Sequence, residues 1–417
     1  MAAARERLSA PARWLVAGAT THTLAETFYD LAMPLLVLAL TGSPLLMATM
    51  FAVGYGAEFF VAILGGSLVD RFRRRTLLAS VVLVEIVIMA AFCVISVIGE
   101  PPIWVLIAGA GVFDFMVRLY GVADIAALPE VVAVHNLPQV NGIMQSFAST
   151  AQTLGPLLAG WTIFLGSFGS VFLVSAVLLL ILLASIRYAR WEEAPIEECG
   201  RSPGRIVGHM WAGVRFTFDD PLYRWIAIWR GVLDFALGAS VLMVVFFMSE
   251  VLRFQSWEIG AASALMASGG ILGGAVFVSV ERIVASNVLV AGSTIFMAVG
   301  FGLLTVSVNW VTVGLVLALV MLMLSILSRC LRVLLQTTVP SQYLGRVSAT
   351  SQLITTLFGP LGVVIAAWAS ATGDVRIVFA VSGVALLILA AASRFGAMRT
   401  ADWRVPGQAS QPGSSRS

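Results

Sequence analysis

The chain has 417 residues, 59% of them hydrophobic and only 11% charged, with a mean hydropathy of +0.96. A soluble domain carries about 25% charged residues, so this composition excludes one and describes a polytopic membrane protein. The net charge of +3 comes from arginines gathered in loops, which argues against a nucleic-acid partner, and the absence of lysine excludes a G-x-x-x-x-G-K phosphate loop.

A bilayer crossing needs roughly 20 apolar residues, and the chain offers about twelve such stretches. Arg5, Arg7 and Arg13 precede the first. His22, Glu26 and Asp30 interrupt it, so it reads as helix 1 and not as a cleaved signal. Helices 1 to 6 are expected at about 14–40, 44–68, 76–98, 103–128, 140–164 and 170–188. A polar linker, 189–220, follows, in which Ile206, Met210, Trp211 and Val214 could form a surface helix or one arm of a soluble hairpin. Helices 7 to 12 are expected at about 221–248, 258–280, 286–307, 311–336, 346–371 and 375–393. Asp220 before Pro221 reads as the N-cap of helix 7. The tail, 394–417, is rich in Gly, Ser, Gln and Pro and is expected to be disordered.

Arginines fall in the N-terminus, after helix 2, in the linker, between Arg329 and Arg346, and in the tail. The positive-inside rule places all of these, and both termini, in the cytoplasm, with Arg253 and Arg376 as exceptions. Trp104, Trp161, Trp257, Trp310 and Trp368 fall at the opposite helix ends as interfacial anchors.

His22, Glu26 and Asp30 are four apart and share one face of helix 1. A charge near the bilayer centre is costly unless it meets a cavity or a partner. Glu26 and Asp30 therefore read as a proton-carrying, substrate-facing stripe, the plainer alternative being a structural polar seam. Asp114 and Arg118 form an i, i+4 pair, as do Arg230 and Asp234; each pair either neutralises itself or opens during a cycle. Glu58 and Glu85 have no local partner, and the sequence leaves open whether they pair across helices or titrate. Asp124 is expected in a helix interface. Cys93, Cys199 and Cys330, and the three histidines, show no metal spacing or nucleophile motif.

The halves repeat. Arg118 precedes Pro129 as Arg329 precedes Pro340; Gly155-Pro156 recurs as Gly359-Pro360; Asp30 has Asp234 as counterpart. Between helices 2 and 3 stand Gly66, Leu68, Asp70, Arg71, Arg74 and Arg75. This stretch resembles the helix 2–3 loop of the major facilitator superfamily, with Arg73 where many members have Gly. Gly155, Pro156 and Gly160 resemble the helix 5 signature of that superfamily's antiporters, with Ala159 in place of one glycine and Gly269, Gly270, Gly273 and Gly274 of helix 8 as candidate packing partners. The stretches around Pro34, Leu128 to Val131, Gly213 to Leu222 and Pro340 to Val347 look like its drug-and-siderophore exporter branch, from which Val122 and Asp124 depart.

The resemblance implies an all-α membrane protein of about twelve helices, with six-helix halves at 1–188 and 221–393, in the cell membrane. It implies no enzyme, but a proton-driven exporter of a small organic compound such as a drug, antibiotic or siderophore, rocking its halves about a midplane cavity. A uniporter or importer and a non-transporting receptor or scaffold are the alternatives. No cofactor and no metal are expected beyond the proton gradient; the partners are a small-molecule substrate and the lipid bilayer, and the chain is expected to be a monomer. In the resembled family the start of helix 11, near Arg346 to Ser348, lies close to the loop after helix 2. Asp70 can then act as a latch on that helix N-terminus, with Arg74 as its local charge partner.

Overall fold

The computed structural model describes residues 10–99, 102–133, 136–189, 214–281, 283–339 and 341–393. The first six long helices are α1 (Ala10–Thr41), α2 (Pro44–Arg71), α3 (Arg74–Ile98), α4 (Ile103–Val131), α5 (Leu137–Leu165) and α6 (Phe168–Tyr188). After a short helical stretch at 214–219 come α7 (Pro221–Phe246), α8 (Ser256–Val280), α9 (Ser286–Leu304), α10 (Trp310–Thr338), α11 (Ser341–Thr372) and α12 (Arg376–Ala392). A π-helical turn, Phe247–Val251, extends α7. Most of the linker and all of the tail lie outside the described residues.

Local chemistry sets the helix starts. Ser43 caps α2 by accepting from the Leu46 N–H, with Pro44 in the first turn. Asp220 caps α7 as expected, accepting from Leu222 N at 2.7 Å and Tyr223 N at 3.3 Å. Asn309 caps α10 through Thr312 N at 2.8 Å. The turn between α2 and α3 needs no glycine, because Phe72 and Arg73 have φ of −118° and −59°.

Ten of the described helices are long and apolar enough to cross a membrane by length and composition. The long helices among the described residues number twelve, as expected, and two of them fall short of that criterion. The exceptions are α12, which is 17 residues long, and α5, which has the length but not the hydropathy. α5 exposes Asn141, Gln145, Ser146, Thr150 and Gln152. A helix that lines an aqueous opening tolerates such residues.

The first six helices pack among themselves: α1 on α5 and α6, α3 on α4 and α6, α2 on α4. The last six do likewise: α7 on α11 and α12, α8 on α10, α9 on α10 and α12. The two groups meet chiefly along α5–α8 and α2–α11. Phe92 and Phe172 fill the first interior at 5.5 Å, and Phe247 and Phe379 the second at the same separation. Large aliphatic side chains such as Leu83, Val87, Leu180, Leu315 and Ile388 remain exposed on the outside, as lipid contact requires.

Gly269 and Gly273 of α8 face Ala318 and Leu322 of α10, and Gly274 meets the Arg329 side chain. These glycines do not serve α5. Its partner on α8 is Gly260, one helix end away. Trp161, Trp257 and Trp310 cluster at that end, opposite the termini, with centroids 5.8 Å and 5.7 Å apart in sequence. The end opposite the termini is therefore closed between the groups.

Candidate functional site

A cavity of about 460 Å³ lies between the two helix groups. α1 supplies Tyr29, Asp30 and Pro34, and α2 supplies Phe51, Tyr55 and Glu58. α4 supplies Asp114 and Arg118, α5 Pro156, α7 Val241 and Val245, and α8 Ser263 and Met266. A second space of about 180 Å³ adjoins it across Phe51, Tyr55 and Val241 and reaches Asp234 and Thr355.

The lining sets one arginine among several carboxyl groups. Arg118 projects into the cavity within electrostatic reach of Glu26, Asp30, Glu58 and Asp114. Among the described residues, no carboxylate comes within the 4.0 Å of an ion pair with it. Of the two readings of the helix 4 pair, this conformation shows the open one. The i, i+4 spacing permits contact, but Asp114 packs instead against Gly54 of α2, whose missing side chain leaves it room. Glu26 does not line the cavity; it stands one turn behind Asp30, in reach of Asp30, Asp114 and Arg118.

The counterpart pair in α7 does close. Arg230 Nε lies 2.6 Å from Asp234 Oδ2. The Thr355 hydroxyl of α11 donates to the same oxygen at 2.8 Å and accepts from Arg230 Nε at 3.1 Å. The halves are thus chemically unlike: one arginine is bound, the other stands clear.

Tyr29 has its hydroxyl buried with no hydrogen-bond partner among the described residues. Its ring packs on Phe113 at 4.3 Å. A buried phenol without a partner is costly and suits a site that a ligand completes. Neither Tyr29 nor Tyr55 stands out in the sequence, because an aromatic residue in an apolar run resembles any other core residue.

The helix 5 residues work as a packing surface. Gly155 makes room for the Thr27 side chain of α1, and the Pro156 carbonyl meets Gly260 of α8. Gly160 lies against Ser256 and Gly260. In the other half, Gly359 of α11 meets Gly238 of α7, repeating the α5–α1 contact.

The loop motif is only partly as expected. Asp70 is exposed and has no hydrogen bond or ion pair with any described residue; Arg71 is also exposed. Arg74 pairs with Glu130 of α4 and not with Asp70. Asp70 is the penultimate residue of α2, whereas Arg74 opens α3 beside the end of α4. Arg75 caps the end of α6 through the carbonyls of Ile186 at 3.2 Å and Arg187 at 2.8 Å. A side chain at Gly66 would meet nothing within 4 Å in this conformation.

Two helix groups about a charged central cavity, closed at one end, define a transporter of the alternating-access kind. A profile of the Major Facilitator Superfamily matches residues 15–363, and the chain belongs to that superfamily. It is a multi-pass membrane transporter and not an enzyme. It is similar to the enterobactin exporter EntS of Salmonella choleraesuis, 27% identical over 371 residues that cover 86% of this chain and 85% of the relative. To EntS of Shigella boydii serotype 4 it is 25% identical over 379 residues, covering 87% and 88%. Among solved structures it resembles a bacterial homologue of the iron transporter ferroportin in an inward-facing state, with TM-score 0.71, 17% identity and coverage of 91% and 97%. It also resembles the nucleoside transporter NupG, with TM-score 0.71, 14% identity and coverage of 92% and 98%. These likenesses establish the fold.

Proposed function

We propose that the protein is a proton-coupled exporter of a small, partly hydrophobic organic compound. One observation carries the reading: Arg118 stands clear in a cavity whose other charged lining groups are Asp30, Glu58 and Asp114. A charge near the bilayer centre costs about 2.5–3.5 kcal/mol on insertion scales, so such groups are kept for a purpose. A proton or a substrate can take the place that a fixed partner leaves open. The remaining lining, with Tyr29, Phe51, Tyr55, Met50 and Met266, suits an apolar or aromatic body. The acidic balance suits a basic or hydrogen-bond-donating group on that body. The similarity to enterobactin exporters supports outward transport and keeps siderophores among the candidates beside drugs and antibiotics. Residues of one chain complete the cavity, which supports a working monomer. The driving force in this reading is the proton gradient, with no cofactor.

The test is an efflux screen in cells with and without the protein, against dyes, antibiotics and siderophores, with and without a proton uncoupler. The reading expects lowered accumulation of at least one compound, reversed by the uncoupler. Accumulation that is unchanged across the screen counts against export, and efflux indifferent to the uncoupler counts against proton coupling.

A further inference from the structure

A second polar cluster lies inside the first six helices, away from the cavity lining. His22 of α1 is 5% exposed and Glu85 of α3 is fully buried. His22 Nε2 lies 3.3 Å from both carboxyl oxygens of Glu85. One ring N–H can serve only one of them, and Glu85 Oε2 is left without a hydrogen-bond partner. Tyr120 of α4 stacks on the His22 ring with centroids 3.9 Å apart. Asp124, one turn further along α4, has a buried Oδ1 that also lacks a partner, and it lies within electrostatic reach of His22.

The charges do not balance. The groups facing His22 are Glu26 from α1, Glu85 from α3, and Tyr120 and Asp124 from α4. α5, which packs on α1, carries no titratable side chain. α6 carries only Arg187 and Tyr188, at its end, and the ionisable groups of α2 are Tyr55, Glu58, Asp70 and Arg71. Among the described residues, no arginine is ion-paired with Glu85 or Asp124. Even a charged imidazole leaves Glu85 and Asp124 with an excess negative charge on buried oxygens. An uncompensated buried charge is among the costliest features a fold can hold, and a bound proton removes it. A proton on Glu85 Oε2 also turns that orphan acceptor into a donor, with His22 Nε2 3.3 Å away as an acceptor when the imidazole is neutral at that nitrogen.

We infer that His22, Glu85 and Asp124 form a second proton-binding site, set apart from the substrate cavity and joined to it through Glu26. His22, Glu26 and Asp30 lie on one face of α1, so the site is about 12 Å from Asp30 along the helix axis at 1.5 Å per residue. It lies on the side of the chain termini. α1, α3 and α4 belong to one helix group, so the site travels as a unit when the groups rock. A proton held there reaches the cavity by way of Glu26 without entering the substrate space. That role in transport rests on the proton-coupled reading above; the proton binding itself does not.

The test is infrared difference spectroscopy of the full-length protein in lipid nanodiscs, between about pH 5 and about pH 9. The expected result is a buried-carboxyl C=O band that disappears as the pH rises. It should be lost in Glu85→Gln or Asp124→Asn and retained in Asp30→Asn. A second measurement avoids variants of the cluster itself. Histidine-labelled protein carrying His135→Gln and His209→Gln reports the charge state of His22 alone by NMR, and that state should change over the same range. Spectra of Glu85→Gln and Asp124→Asn that both match the unaltered protein would overturn the inference. So would a His22 resonance and carboxyl region that stay constant throughout, or changes produced by sodium at fixed pH and not by acid. If efflux ignores an uncoupler while these bands persist, the coupling reading fails and the site stands. If efflux is coupled and the bands are absent, the second site falls alone.

Discussion

Gly160 of α5 and Gly260 of α8 face each other across the contact between the two helix groups, so closely that neither position has room for a side chain. A Cβ on Gly160 would lie 3.1 Å from the Gly260 Cα and still nearer the Ser256 carbonyl. Backbone cannot swing aside as a side chain can. The pair therefore sets how tightly the end opposite the termini can shut.

Gly160→Val is expected to hold that end apart. Overpacking of this kind costs about 1–3 kcal/mol, here charged only against the closed conformation. Cysteines placed near Trp257 should become more reactive to a membrane-impermeant reagent, and transport should fall while the protein still reaches the membrane. Unchanged labelling would show that the contact does not control closure.

The carboxyls of α1 give a second expectation. Glu26→Gln or Asp30→Asn should abolish uphill efflux with membrane insertion preserved. Full gradient-driven efflux in both single variants would remove the idea that either carries the proton.

The two i, i+4 pairs should behave oppositely. Arg230→Gln strands Asp234 with Thr355 as its remaining partner, at a cost of up to about 3 kcal/mol, since the Arg230 side chain is one-third exposed. The double variant with Asp234→Asn should recover much of that stability in a thermal unfolding measurement. Asp114→Asn with Arg118→Gln should show a smaller recovery, because the two share only a longer-range attraction and no ion-pair contact. Equal recovery in both doubles would contradict the geometry.

Much of the fold was legible because helix length and charge placement are local properties. Twelve helices stand where the apolar runs place them, and the Asp220 cap is as read from its neighbours. Partners across helices were not legible. Nothing near Glu85 in the chain points to His22, and nothing near Arg74 points to Glu130. At Asp114 and Arg118 the spacing left a closed and an open pair both possible, because i, i+4 permits a contact that side-chain direction then declines. The small-residue run in α8 misled: it has two packing faces, and most of its glycines serve α10.

Asp70 should matter in the conformation not seen here. It is exposed and has no partner among the described residues where the groups are closed at the opposite end, as a latch would be when released. Asp70→Asn should leave this conformation intact and shift the population toward it, raising cytoplasmic labelling of cysteines in α5 and α11 while transport falls. Unchanged labelling would leave the loop as a topology signal.

The most direct measurement of proton-coupled export uses inside-out membrane vesicles with an acidified lumen and a compound identified by the efflux screen. Proton flow out of the lumen should drive accumulation of the compound inside, and the uncoupler or Asp30→Asn should abolish it. Accumulation only in right-side-out vesicles under the equivalent gradient, or accumulation that survives the uncoupler, would contradict the account.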